Sequence, residues 1–273
     1  MQEGQPEGGD GPAGLLTGGD PAPFTLLNPE GRAELLLVCD HAGQDVPAAL
    51  GRLGLDDAVL SRHIGWDIGA AAVTRLLARR LGAPAVLSAY SRLVIDCNRT
   101  TDDPTSIPTI SDGHVVPGNQ ELSADDKRAR AEACFWPYHR AIEAQLERAA
   151  TLGTAPAVIS IHSFTPQMQG VDRPWHIGVL WESDPRLPAP LMASLTERPG
   201  LVVGDNEPYS GRDPEGFTLR HHAIPRGLAH VLIELRQDEI ATEAGAEIFA
   251  EHLEAALAPI LADPLLYRPA FYP

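Results

Sequence analysis

The stretch 35-LLLVCDHAG-43 decides the fold. Residues 34–39 carry an apolar run that suits a strand buried on both faces. Such strands belong to layered α/β sheets, and ligands there sit beyond the carboxyl ends of the strands. Asp40 and His41 follow this strand directly, before a small-residue turn, so they read as side chains delivered to a site.

The neighbouring segments extend the pattern. Residues 57–81 place apolar residues at helical spacing among many alanines, with a break expected near Gly65. Residues 85–88 and 93–95 read as short strands, and 123–150 as a helix capped by Ser123 with Asp126 three residues on. Strands follow at 157–162, 176–181, 201–203 and 229–235, and a closing helix at 242–261. Residues 100–120 and 204–225 are polar and interrupted by Gly and Pro, and are expected to be long loops. Strands separated by helices predict an α/β fold, a three-layer mixed sheet with helices on both faces. Residues 1–23, rich in Gly, Pro and acid, are expected to be a disordered arm, leaving 24–273 as a single domain.

The charge balance, 21 basic against 37 acidic residues for a net −16, disfavours nonspecific nucleic-acid binding. Three cysteines, Cys39, Cys97 and Cys134, without CxxC spacing, fit neither a disulfide framework nor a zinc finger. No signal-peptide pattern and no apolar run of membrane-spanning length is visible, so a cytoplasmic location away from membranes is expected.

Reactive residues recur where strands end: His41 in CDHAG, Asp96, Asn98 and Arg99 in LVIDCNR, His162 in SIHSF, and Glu234 in VLIELRQD. Two histidines and a carboxylate form a common catalytic zinc set, with a position left open for water. His41 and His162 are the nitrogen ligands of this reading. Asp67, in the glycine-broken GWDIGA, is the chosen third ligand for one Zn2+, with Asp40 and His63 as alternatives; with Asp67 as ligand, Asp40 is expected to orient an imidazole from behind. Glu234 is then the general base. Arg92, Arg99 and Arg220 suit a pocket for a small carboxylate substrate, because guanidinium binds carboxylate in a bidentate way. His221 or His222, in LRHH, is expected to assist the substrate or an oxyanion.

The motifs CDHAG, GWDIGA, YSRLVIDCNR, FWPYHRAIEAQL, SIHSF, LRHH and VLIELRQD, in this order, resemble those of the N-formylglutamate amidohydrolase family. The resemblance covers residues 35–261. It implies a phosphorylase/hydrolase-like fold, akin to zinc exopeptidases, and a zinc-dependent amidohydrolase. The implied reaction cleaves N-formyl-L-glutamate to formate and L-glutamate in histidine catabolism. It also implies His41 and His162 as metal ligands, Glu234 as the catalytic acid, and Arg92, Asn98, Arg99 and Arg220 as substrate contacts. Hydrolysis of another N-acyl amino acid or small amide is a rival reading. A non-catalytic carboxylate-binding protein on the same fold is another, disfavoured by the intact His–Asp–His–Glu set.

Overall fold

The computed structural model describes residues 14–213 and 216–272. Seven strands form the main sheet: β1 (Phe24–Leu27), β2 (Leu35–Cys39), β3 (Ala85–Ser88), β4 (Ala157–Phe164), β5 (Ile177–Leu180), β6 (Val203–Asp205) and β7 (His230–Arg236). Their spatial order is β1-β3-β2-β4-β7-β5-β6. The central β3, β2, β4 and β7 run parallel, whereas β1 pairs with β3 and β5 with β7 antiparallel.

Side-chain alternation along β2 makes the layers. Leu35, Leu37 and Cys39 face a core filled by α1 (Ala70–Leu81), α3 (Pro188–Thr196) and α5 (Glu243–Ile260). Leu36 and Val38 face a second core with Phe135 and with Tyr138 and Ile142 of α2 (Trp136–Thr151). Each fully buried aliphatic side chain contributes about 1.5–3 kcal/mol, so both faces of the sheet must be covered. The result is the expected three-layer α/β fold, a mixed sheet with helices on both faces. No helix among the described residues is long and apolar enough to cross a membrane.

Register then sets the site. Glu234 of β7 pairs with His162 of β4, on the sheet face opposite Ile161 and Ile233. Val38 of β2 pairs with Ser160, so Asp40, two residues further along, arrives level with His162 on that same face.

Several elements differ from the sequence reading. Residues 93–95 are not a strand but part of a buried turn over 91–99. Its side chains satisfy backbone groups within and beyond the turn: Ser91 Oγ donates to Gly65 O at 2.8 Å, and Asp96 Oδ1 accepts from Asn98 N at 2.8 Å. The helical pattern of 57–81 resolves into a single turn, Asp57–Leu60, a glycine-containing connection and α1. The helix from Ala124 is capped by Ser123 and Asp126 as expected, but it passes through a π turn at Ala131–Phe135. That turn ends two residues before Pro137, which has no N–H to give. Strand β1 and helix α3 are additions that the sequence pattern did not announce. Of the expected arm, residues 1–13 lie outside the described residues. The remainder is docked rather than free: Asp20 Oδ1 accepts from Ala48 N at 2.8 Å, and Tyr90 donates to Pro21 O at 2.6 Å.

Gly69 caps the start of α1 with φ of 83°, and a Cβ there would lie 2.4 Å from Ile240 O. Gly69→Ala is therefore expected to destabilise the fold by about 1–3 kcal/mol or more in urea unfolding. Unchanged stability would mean that this turn has no such constraint.

Candidate metal centre and active-site cavity

Three buried side chains converge at the carboxyl end of the sheet. His41 Nδ1 lies 3.3 Å from Asp67 Oδ2, and His162 Nδ1 lies 2.9 Å from the same oxygen. The turn containing Asp67 follows β2 in space because Asp67 N donates to His41 O at 3.0 Å. Among the described residues His41, Asp67 and His162 form a group able to hold a metal ion, with ligand atoms within 4.8 Å of one another.

The outer nitrogen of each imidazole meets a second buried carboxylate. His41 Nε2 lies 2.7 Å from Asp96 Oδ1, and His162 Nε2 lies 2.8 Å from Asp40 Oδ2. A carboxylate there holds the proton on Nε2 and turns the Nδ1 lone pair inward, as in carboxylate–histidine–metal arrangements. Asp40 is itself fully engaged: Tyr138 donates to it at 2.9 Å, Thr218 at 2.6 Å and Ser160 at 3.2 Å. Asp96 also takes a 2.6 Å ion pair from Arg92. Asp40 therefore stands behind His162 and does not join the triad. His63 lies apart, 3.4 Å from Asp112.

The donor set fits a cation. With both imidazoles neutral, two lone pairs and a carboxylate oxygen face one another without a proton between them. Burial opposes a charged imidazole, and Arg92 opposes it at His41, yet Asp96 and Asp67 outweigh both and raise the His41 pKa. At His162, burial is likewise outweighed by Asp40 and Asp67. The pocket thus carries a surplus of negative charge and favours a positive one. Hard carboxylate and borderline imidazole donors suit a divalent first-row ion.

Glu234 lines the same cavity of about 230 Å3, together with Arg92, Asn98, Arg99, Ser163 and Tyr209. Its Oε2 is buried without a hydrogen-bond partner among the described residues. Burial is the main cause that pushes its carboxyl up to about 7, with the Asp67 charge adding and His162 opposing. Such a group can exchange a proton near neutral pH.

The expected substrate contacts are placed unequally. Arg92, Asn98 and Arg99 reach the cavity. Asn98 Oδ1 accepts from Phe217 N and Thr218 N at 2.9 and 3.0 Å, which leaves its amide N–H donors for other partners. Arg220 lines an adjoining cavity instead and pairs with Glu182 at 3.0 Å. His221 is exposed and stacked on Phe217 with centroids 4.6 Å apart. His222 is buried against His139, 3.0 Å between ring nitrogens, where burial lowers the pKa of the two to about 4 and about 3 respectively. Neither reaches the triad cavity, because both sit on α4 (Thr218–His222), whose inward face carries Thr218 to Asp40. Tyr138, Ser160 and Thr218, which hold Asp40, were not legible as site residues. Only their position on the site-facing side of their elements could have pointed to them.

The sequence matches the model of the N-formylglutamate amidohydrolase family over residues 33–241. An N-formylglutamate deformylase of Pseudomonas aeruginosa is 28% identical, the match covering 85% of this chain and 92% of that protein. The crystal structure of a gene product of Agrobacterium tumefaciens is 36% identical with a TM-score of 0.87, covering 91% of this chain and 98% of that one. The N-formylglutamate amidohydrolase of Ralstonia eutropha JMP134 shares the fold, with a TM-score of 0.63 at 22% identity over 88% of this chain and 97% of that one. The family match runs from the strand that carries His41 through the strand that carries Glu234, and the chain belongs to the N-formylglutamate amidohydrolase family.

Proposed function

We propose that this protein is a zinc-dependent hydrolase of N-formyl or other short N-acyl amino acids. Cleavage of N-formyl-L-glutamate to formate and L-glutamate is the family's reference reaction. The observation that carries the reading is the placement of a convergent His–Asp–His acceptor triad and an uncommitted, protonatable Glu234 in one cavity.

His41, Asp67 and His162 would hold a zinc ion, which when bound would supply Lewis acidity toward the amide carbonyl and lower the pKa of water to roughly 7. Asp40 and Asp96 keep the two imidazoles in one tautomer and orientation throughout. Glu234 accepts a proton from the attacking water and passes it to the amine nitrogen as the C–N bond breaks. Water adds its oxygen to the acyl carbon, and the products are a carboxylic acid and a free amino acid. Arg92 and Arg99 receive the substrate carboxylate, which places the scissile carbonyl between the triad and Glu234.

Metal analysis of the purified chain is expected to give close to one zinc per molecule, lost in His41→Ala and in His162→Ala. Full retention in both variants would contradict the ligand assignment. Glu234→Gln should keep its zinc and lose about 10²–10⁴ of kcat. Because Glu234 acts ionised, kcat/KM should fall as pH drops through its pKa. Burial sets that pKa at about 7, and a neighbouring ion's charge moves it lower. Activity that instead grows toward acid would remove Glu234 from the base role.

A further inference from the structure

A smaller cavity of about 80 Å3 opens off the site cavity. The two share Asn98, Leu180, Ser210, Asp213, Gly216 and Leu232 as walls. Beyond them the small cavity is closed by Trp181, Leu219 and Ile224. Its charged groups among the described residues are Arg220, Glu182 and Asp213. Arg220 is the cation that could greet an acidic side chain, but its Nη2 lies 3.0 Å from Glu182 Oε2 and 3.3 Å from the Asp213 carbonyl oxygen.

The chemistry of this wall selects against acid. A carboxylate entering here would lose water and find the one guanidinium already paired with the Glu182 carboxylate. An aliphatic side chain would shed water against Leu180, Trp181, Leu219 and Leu232, which is favourable. The other extension of the site, a cleft of about 350 Å3 lined by polar and apolar groups alike, runs past Arg92 and Arg99 to His63 and Asp112. That side suits the substrate's α-carboxylate, and the small cavity then receives its side chain.

We infer that the small cavity is a side-chain subsite for aliphatic residues. By pairing with Arg220, Glu182 is the specificity-determining residue that turns the protein toward N-formyl amino acids with uncharged side chains. This rests on the amide-hydrolysis reading above and selects among its substrates.

The test uses the full chain loaded with zinc, with N-formyl-L-leucine, N-formyl-L-methionine and N-formyl-L-glutamate as substrates. N-formyl-L-leucine and N-formyl-L-methionine are expected to exceed N-formyl-L-glutamate at least tenfold in kcat/KM. In Glu182→Gln, which frees Arg220, the glutamate-to-leucine ratio of kcat/KM should rise at least tenfold. Calorimetric binding of 4-methylpentanoate and glutarate, which cannot be hydrolysed, gives a second readout, with 4-methylpentanoate expected to bind tighter. Preference for N-formyl-L-glutamate in the wild type, or tighter binding of glutarate, would overturn the subsite while leaving the hydrolase reading intact. Absence of turnover on all three substrates with 4-methylpentanoate still favoured would support the subsite and overturn the hydrolase reading.

Discussion

Two buried carboxylates behind two imidazoles are the constraint on which this structure depends. Asp40 and Asp96 hold the outer nitrogens of His162 and His41, and so decide which nitrogens face Asp67. Buried charges are costly unless paired and hydrogen-bonded. Asp40 meets that demand with donors from β4, α2 and α4, so one carboxylate ties three elements to the triad-facing end of β2. The negative surplus that remains suits a cation, and an ion bound there would couple its binding to the stability of this end of the sheet.

The sheet supplies the precision. His162 and Glu234 are register partners on adjacent parallel strands, so their separation follows from backbone hydrogen bonding. Asp67 comes instead from a turn, and its position relies on the hydrogen bond to His41 O and on the positive-φ glycine that follows. A strand-borne glutamate, a turn-borne carboxylate and a loop-borne pair of arginines form a graded site. In the proposed function the chemistry sits on the strands and the substrate contacts on the connections.

Much of this was legible because a strand buried on both faces has no reason to end in His. The apolar runs before His41, His162 and Glu234 made each one conspicuous. Asp67 was legible from the glycines around it. The role of Asp40 was half legible: the sequence left it either a ligand or a carboxylate that orients an imidazole, since adjacent acid and imidazole look alike as ligands. What separates them is alternation along the strand and partners 98 and 178 residues away, Tyr138 and Thr218. Residues 93–95 read as a strand because a buried turn uses the same aliphatic residues, while its hydrogen bonds come from Ser91 and Asp96. Arg220 reads as a substrate contact in the sequence, but it lines the adjoining cavity, and its pairing with Glu182 joins segments that no local pattern connects. His221 and His222 differ for a helical reason: consecutive residues point to different sides, one outward and one into the core.

The most direct test of the central claim is nitrogen-15 NMR of histidine-labelled protein loaded with cadmium-113. The expected result is metal coupling at Nδ1 of both His41 and His162, with a proton retained on each Nε2. Coupling at Nε2, or no coupling at either ring, would contradict it.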